Sequence, residues 1–301
     1  MAFSDFHQIQ YILFITILLM YLTCLIGNIT VIFLVKTETS LHSPMYFFIS
    51  LFAALEIVFV SVTVPNLLAN LITGNKSISF TGCFAQLYAF SALGETECCL
   101  LAIMAFDRHL AINSPLHYTI IMNHTFCLLL ASLPWIVGFI ISFIPTIFTA
   151  WLEFCGPNEI NHFFCDFAPL QNLACSDPFI SNVVTSLAAI VTVVIPFVII
   201  AGFYIQIIVT VISKMNSSES KHKAFSTCSS HLIVSSLFYG TAMIVYIRPK
   251  ANHYDKFLAL TYTVLIPLVN PFVYTLRNRI VKDSLGKSLR CFVRNFHYNF
   301  L

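Results

Sequence analysis

Apolar residues fill long, unbroken stretches of this chain instead of the one-sided stripes of a soluble helix. The segment from Ala188 to Ile212, AAIVTVVIPFVIIAGFYIQIIVTVI, is apolar nearly all round. A membrane-crossing helix needs about 20 such residues. Seven stretches qualify, at about 9–35, 45–72, 84–112, 125–150, 182–212, 224–247 and 257–276. Barrel strands would instead alternate apolar and polar residues over segments of about 10. Helices alone close their own backbone hydrogen bonds in lipid. The pattern predicts an all-α membrane protein, a seven-transmembrane helix bundle forming one domain over 1–301. Pro65, Pro134, Pro145, Pro196, Pro267 and Pro271 fall inside spans and predict kinks. Past Arg277, Ile280, Leu285, Leu289, Phe292, Val293 and Phe296 lie among Lys and Arg, which predicts an amphipathic helix at about 278–296 on the membrane surface.

Composition agrees: 58% of residues are hydrophobic and 9% charged, against about 25% charged in soluble domains. Cytoplasmic loops collect Lys and Arg. With the N-terminus outside, Lys36, Arg108, Lys214, Lys221, Lys223, Arg277, Arg279, Lys282, Lys287, Arg290 and Arg294 face inward, against Lys76, Arg248, Lys250 and Lys256 outward. The expected orientation is therefore N-terminus extracellular and C-terminus cytoplasmic. The basic tail suits anionic membrane lipid, and no basic patch in a soluble domain suggests nucleic acid. The first apolar run is long and lacks a small-residue cleavage site, so the first helix is expected to direct insertion itself.

The longest loop, Trp151 to Asn182, falls on the outer side. It carries Cys155, Cys165 and Cys175, and Cys83 opens the third span on the same face. An oxidising compartment favours disulfides, and four cysteines allow three pairings. Cys24, Cys98, Cys99, Cys127, Cys228 and Cys291 read as small buried apolar residues or free thiols.

Ionisable residues deep in a span cost about 2.5–3.5 kcal/mol on insertion scales and mark candidate functional positions. Glu56, Glu95, Glu97, Asp107 and Arg108 qualify. Asp107 and Arg108 end the third span, where a pair could also simply snorkel. Glu56 and Glu97 need partners, and Asn28 and Asn270 are the candidates if their helices bundle. Such a cluster serves either as a cation or proton site or as an interhelical hydrogen-bond network, the more economical reading. His162, Cys165 and Asp166 have metal-binding residue types. A disulfide-bonded Cys165 could not ligate, so no metal or cofactor is expected. No span pairs a nucleophile with a base, which argues against an enzyme.

The order of short motifs is more specific: Gly27-Asn28, LHSPMYFF at 41–48, MAFDRHLAI at 104–112, PLHY at 115–118, KAFSTCSSHL at 223–232 and PLVNPFVYTLRN at 267–278. Together they resemble a vertebrate odorant receptor of the rhodopsin-like G-protein-coupled class, of the tetrapod type, over nearly the whole chain. The resemblance implies that Asp107 and Arg108 lock the inner face and meet the G protein. It makes Asn270, Pro271 and Tyr274 the switch of helix seven, and Tyr204 the mobile tyrosine of helix five. It pairs Cys83 with Cys165, leaving Cys155 with Cys175. Glu97, with Glu56 where an aspartate is usual, resembles a polar core that holds sodium in related receptors, though the extra methylene argues against assuming sodium here.

The resemblance also places a mainly apolar ligand pocket between helices three, five, six and seven, at Phe90, Ser91, Gly94, Glu95, Cys98, Ala188, Thr192, Tyr239, Ala242, Met243, Tyr246, Leu260 and Thr263. Greasy walls with a few hydroxyls are ordinary for such a pocket; Glu95 is the exception. It either contacts ligand or turns to the neighbouring helix to pair with a Ser or Thr. The chain departs from the family pattern at His109, where a tyrosine is usual, and at Asn113, in place of a cysteine. His109 reads as a solvated helix-end histidine, or else as a source of pH sensitivity. The family's motif near the N-terminus matches Phe3-Ser4-Asp5. Of the sequons, only Asn75 is expected to be glycosylated outside.

The expected function is an odorant receptor that binds small, mainly hydrophobic volatile molecules and activates a stimulatory olfactory-type G protein to raise cyclic AMP. The alternative is an ion-coupled transporter or channel using Glu56, Glu97 and Asp107. The absence of inverted repeats weighs against that alternative.

Overall fold

The computed structural model describes residues 7–156, 158–214, 217–246 and 255–276, together with 281 and 286. Apart from those two positions, the segment expected to form the amphipathic helix at 278–296 lies outside the described residues. The side chains of Tyr246 and Tyr274 do so as well.

The described chain is all-helical, with α1 His7–Thr37, α2 Pro44–Thr73, α3 Phe80–Asn113, α4 Pro115–Ile121, α5 His124–Ala150, α6 Phe167–Gln171, α7 Phe179–Ala189, α8 Ile195–Lys214, α9 Ser218–Tyr246, α10 Asp255–Leu260 and α11 Ile266–Leu276. An antiparallel bridge joins Phe154 to Ala174 within the long loop. Among the described residues, five helical segments are long and apolar enough to cross a membrane: α1 from Gln10, α2, α3, α5, and the run Phe179–Ser213. The apolar stretches His231–Val245 and Leu258–Val273 are shorter. In α9 this follows from its polar opening, Ser218 to Lys223. Two short helices, α4 and α6, were not anticipated by hydropathy, because each lies outside the apolar runs.

Local chemistry sets the ends. Pro44 and Pro115 open α2 and α4 at the first turn, where a missing N–H costs nothing. Ser79 caps α3 by accepting from the Gly82 amide at 3.1 Å, and Asn123 caps α5 by accepting from the Phe126 amide at 2.9 Å. Gly74, at φ +70°, closes α2 in the left-handed conformation that glycine adopts without strain.

The apolar helices that continue α7 into α8 and α10 into α11 are each interrupted by one π-turn, Ile190–Val194 and Thr261–Leu265. Both π-turns end two residues before a proline, Pro196 or Pro267. There the Ile195 amide bonds to the Ile190 carbonyl and the Ile266 amide to the Thr261 carbonyl, one residue further back than an α-helix would. A proline supplies no N–H and its ring crowds the preceding turn. Widening that turn relieves the crowding.

Apolar residues face both ways. Ile12, Ile15, Leu19, Ile26 and Phe33 of α1 and Leu129, Ile136, Ile140 and Phe143 of α5 are all more than half exposed, as lipid-facing positions should be. Lipid is as apolar as leucine, so helix association rests on close packing and hydrogen bonds. The central helix is α3, which packs against α2, α5, α8 and α9, while α1 packs on α2 and α11. Gly138 sets the α3–α5 approach. A Cβ there would collide with the Thr96 hydroxyl and come within 2.5 Å of the Ala92 carbonyl oxygen. The Thr96 hydroxyl donates to the Ala92 carbonyl at 2.7 Å and to the Pro134 carbonyl of α5 at 3.3 Å.

Gly138→Ala should therefore destabilise the detergent-solubilised protein by about 1–3 kcal/mol, the usual range for overpacking. It should also reduce the amount that reaches the cell surface. Gly202→Ala and Gly240→Ala, where a Cβ would meet nothing within 4 Å, should melt like the parent. Equal melting of all three variants would show that the α3–α5 contact is not limited by backbone approach.

Candidate functional site

The loop-proximal half of α3 encloses a cavity of about 70 Å³. From α3 come Phe90, Ser91, Gly94, Glu95 and Cys98; from α7 and its π-turn, Ala188 and Thr192; from α9, Ala242. These eight were anticipated. Tyr239 is fully buried and donates to the Cys98 carbonyl at 2.7 Å, tying α9 to α3 without lining the space. Thr263 spends its hydroxyl on the Ala259 carbonyl at 2.7 Å. Met243 and Leu260 pack against the core and do not line the cavity.

The walls also include residues that sequence reasoning missed: Phe59 of α2, Pro145 of α5, Phe167 of α6, Thr185, Ala189, Val193, Phe238 and Tyr262. Helix α2 enters because Phe59 stacks on Phe90 with centroids 4.9 Å apart. The loop contributes because α6 folds back over the bundle.

Glu95 is half-buried, and its Oε2 has no hydrogen-bond partner. Ser142 of α5 lies beside it, but the Ser142 hydroxyl also closes no bond. The carboxylate therefore lines the cavity while standing next to the hydroxyl that could have quenched it.

The loop is fastened over this half. Disulfides join Cys83 to Cys165 and Cys155 to Cys175, with Cα separations of 5.5 and 5.9 Å. Gln86 of α3 donates to the Val62 carbonyl of α2 at 3.0 Å and accepts from the Cys165 amide at 3.1 Å. Phe164 packs on Phe90 at 4.5 Å. Because Cys165 is oxidised, it cannot join His162 and Asp166 as a thiolate ligand. A wider polar cleft of about 490 Å³ opens between the loop and α2, lined by Asn66, Asn70, Lys76, Glu159 and His162 among others. Asn75 lies at its edge, exposed, with its side-chain oxygen accepting from the Ser77 amide and hydroxyl.

Deeper along α3, the Asn270 amide donates to Glu56 Oε1. Asn28 instead bonds within its own helix, to the Cys24 carbonyl at 3.0 Å. Glu97 is buried, and neither of its oxygens has a partner. The expected cluster thus has one interhelical bond, with Glu97 facing it unpaired.

At the far end of α3, Asp107 is held from two sides. Arg108 donates to Oδ2 and forms an ion pair, and Tyr118 of α4 donates to Oδ1 at 2.7 Å. Burial and the adjacent carboxylate push the Tyr118 ionisation above its ordinary range, so it stays a donor. The Tyr204 hydroxyl meets His231 Nδ1 at 2.5 Å, joining α8 to α9; His231 lies within the KAFSTCSSHL motif, which assigns it no role. His109 pairs through Nδ1 with the Asn113 amide at 3.0 Å and stands 5.0 Å from the Phe203 ring. It is half-buried and partnered, not simply solvated, and the two departures from the family pattern hydrogen-bond to one another, with Asn113 Oδ1 left without a partner. Pro271 packs against Gly27, where a Cβ would approach its ring at 3.0 Å.

A family model described as olfactory receptor matches residues 17–291. Human olfactory receptor 10C1 is 44% identical over 293 residues, covering 96% of this chain and 94% of that protein. Human olfactory receptor 8H3 is 41% identical, with 94% and 91% covered. Human olfactory receptor 10A4 is 43% identical, with 93% and 90% covered.

Gln86→Leu removes both the donor to Val62 and the acceptor for the Cys165 amide. It should lower stability by about 1–3 kcal/mol, the cost of leaving buried backbone groups unpaired, with both disulfides intact. Unchanged thermal melting would mean that the disulfide alone positions the loop.

Proposed function

The chain belongs to the olfactory receptor family, a family of G-protein-coupled receptors and not of enzymes, and from that premise we propose how it works. It is a single seven-crossing domain over 1–301 in the plasma membrane, with α9 and the α10–α11 run as the sixth and seventh crossings. The N-terminus lies outside and the C-terminus inside. The carrying observation is that one helix, α3, lines the capped cavity at one end and holds the Asp107–Arg108 pair at the other.

Small, mainly hydrophobic odorants enter the cavity among Phe90, Ser91, Gly94, Glu95, Cys98, Ala188, Thr192 and Ala242. Tyr239, Met243, Leu260 and Thr263 form the surrounding shell. At about 70 Å³, the space is small for an odorant. An odorant therefore binds best to a state in which the helices have parted, and binding shifts the population toward that state. Parting releases Asp107 from Arg108 and Tyr118, and Tyr204 from His231. Asn270, Pro271 and Tyr274 move with helix seven, while Asn28, Glu56 and Glu97 form the polar core about which they turn. The freed Arg108 face engages a stimulatory olfactory-type G protein, which raises cyclic AMP. The basic tail beyond Arg277 rests on inner-leaflet lipid.

Cells expressing the chain, with surface staining verified, should raise cyclic AMP to members of a volatile panel. Arg108→Ala should abolish that response at equal surface staining. A response that survives in Arg108→Ala would rule out this coupling route. Asn75→Gln should remove a glycosidase-sensitive mobility shift; a shift that persists would place the glycan, or the chain's orientation, elsewhere.

A further inference from the structure

The cavity carries chemistry more specific than a greasy wall. Among its described lining residues, Glu95 is the ionisable carboxylate, and its Oε2 is buried without a partner. Around it stand aromatic rings: Phe59 stacked on Phe90 at 4.9 Å, Tyr262 at 6.0 Å from Phe90, and Phe238 on α9. Three hydroxyls that share the wall are already committed as donors to their own helices, Ser91 to the Leu87 carbonyl, Thr185 to the Ser181 carbonyl and Thr192 to the Ala188 carbonyl. Among the described residues, no lysine, arginine or histidine lines the space.

A carboxylate with an unpartnered oxygen in an apolar wall is costly, and no cation among the described lining residues offsets it. A ligand that brings one is favoured. An ammonium group supplies the opposite charge and up to three donors, and ring faces attract the same cation through their quadrupoles. An alcohol supplies one donor without charge, an aldehyde none, and a carboxylic acid adds like charge.

Resting on the proposal that this cavity is the odorant site, we infer that the receptor is selective for small alkylamines, bound as ammonium ions between Glu95 and the aromatic wall. The limited volume confines the preference to compact amines.

The test uses isobutylamine, isobutanol and isobutyraldehyde, which differ only in the polar group. Two readouts apply: thermal stabilisation of the purified full-length receptor and cyclic AMP in cells with verified surface staining. Isobutylamine should act at concentrations about 10-fold or more below the other two. Glu95→Gln should remove that advantage without lowering the melting temperature of the ligand-free protein. Glu95→Asp should retain part of it. Ala242→Phe, which fills the cavity, should abolish stabilisation by all three.

Equal potency of the three compounds, no stabilisation by isobutylamine, or an amine preference that survives Glu95→Gln would each overturn the amine assignment. An amine effect that survives Ala242→Phe but falls with Glu95→Gln would overturn the cavity reading itself. The two failures are therefore separable.

Discussion

In hydrocarbon, each backbone N–H and C=O must find its partner within the protein, and most of this architecture follows from that constraint. It makes the apolar runs helical and tolerates proline only where the turn before it can be re-bonded. At Pro196 and Pro267 this is met by shifting one amide to a carbonyl five residues back. The same constraint makes a hydroxyl valuable where two helices touch. Thr96 serves α3 and α5 together, and it can do so because Gly138 lets the backbones approach.

Helix α3 gathers the consequences. Its loop-proximal half carries the cavity wall and the Cys83 disulfide, its middle carries Glu97, and its far end carries Asp107 and Arg108. Glu95 and Arg108 stand about 20 Å apart along the axis at ~1.5 Å per residue. A signal over that distance needs an element with two arrangements, not mere proximity. The structure offers two such contacts that can break: the double hold on Asp107 by Arg108 and Tyr118, and the Tyr204–His231 bond between α8 and α9. The Asp107–Tyr118 bond couples α3 to α4 in a partly exposed setting, and the Tyr204–His231 bond couples α8 to α9 in a buried one.

The departures from the family pattern acquire a local meaning in the same way. A histidine after the arginine and an asparagine four residues on look like two separate losses in the motif. On a helix they are neighbours, one turn apart, and they hydrogen-bond to one another beside Phe203.

The sequence by itself determined the helical class, the membrane environment, the family and most of the α3 side of the cavity. Apolar run length, the cost of buried charge and the order of the motifs are properties of the chain read locally. It also identified Glu95 as anomalous, but left open whether that carboxylate faces ligand or pairs across helices. Tertiary structure decided the rest. Phe59, Pro145 and Phe167 join the cavity through the approach of α2, α5 and the folded loop, none of which periodicity encodes. Asn270, not Asn28, bonds Glu56, because Asn28 finds an acceptor in its own preceding turn. His231 meets Tyr204 only because α8 and α9 pack side by side. A residue's neighbour in lipid is set by how closely two helices approach and by their rotation about their axes, and hydropathy that is apolar all round carries no record of that rotation.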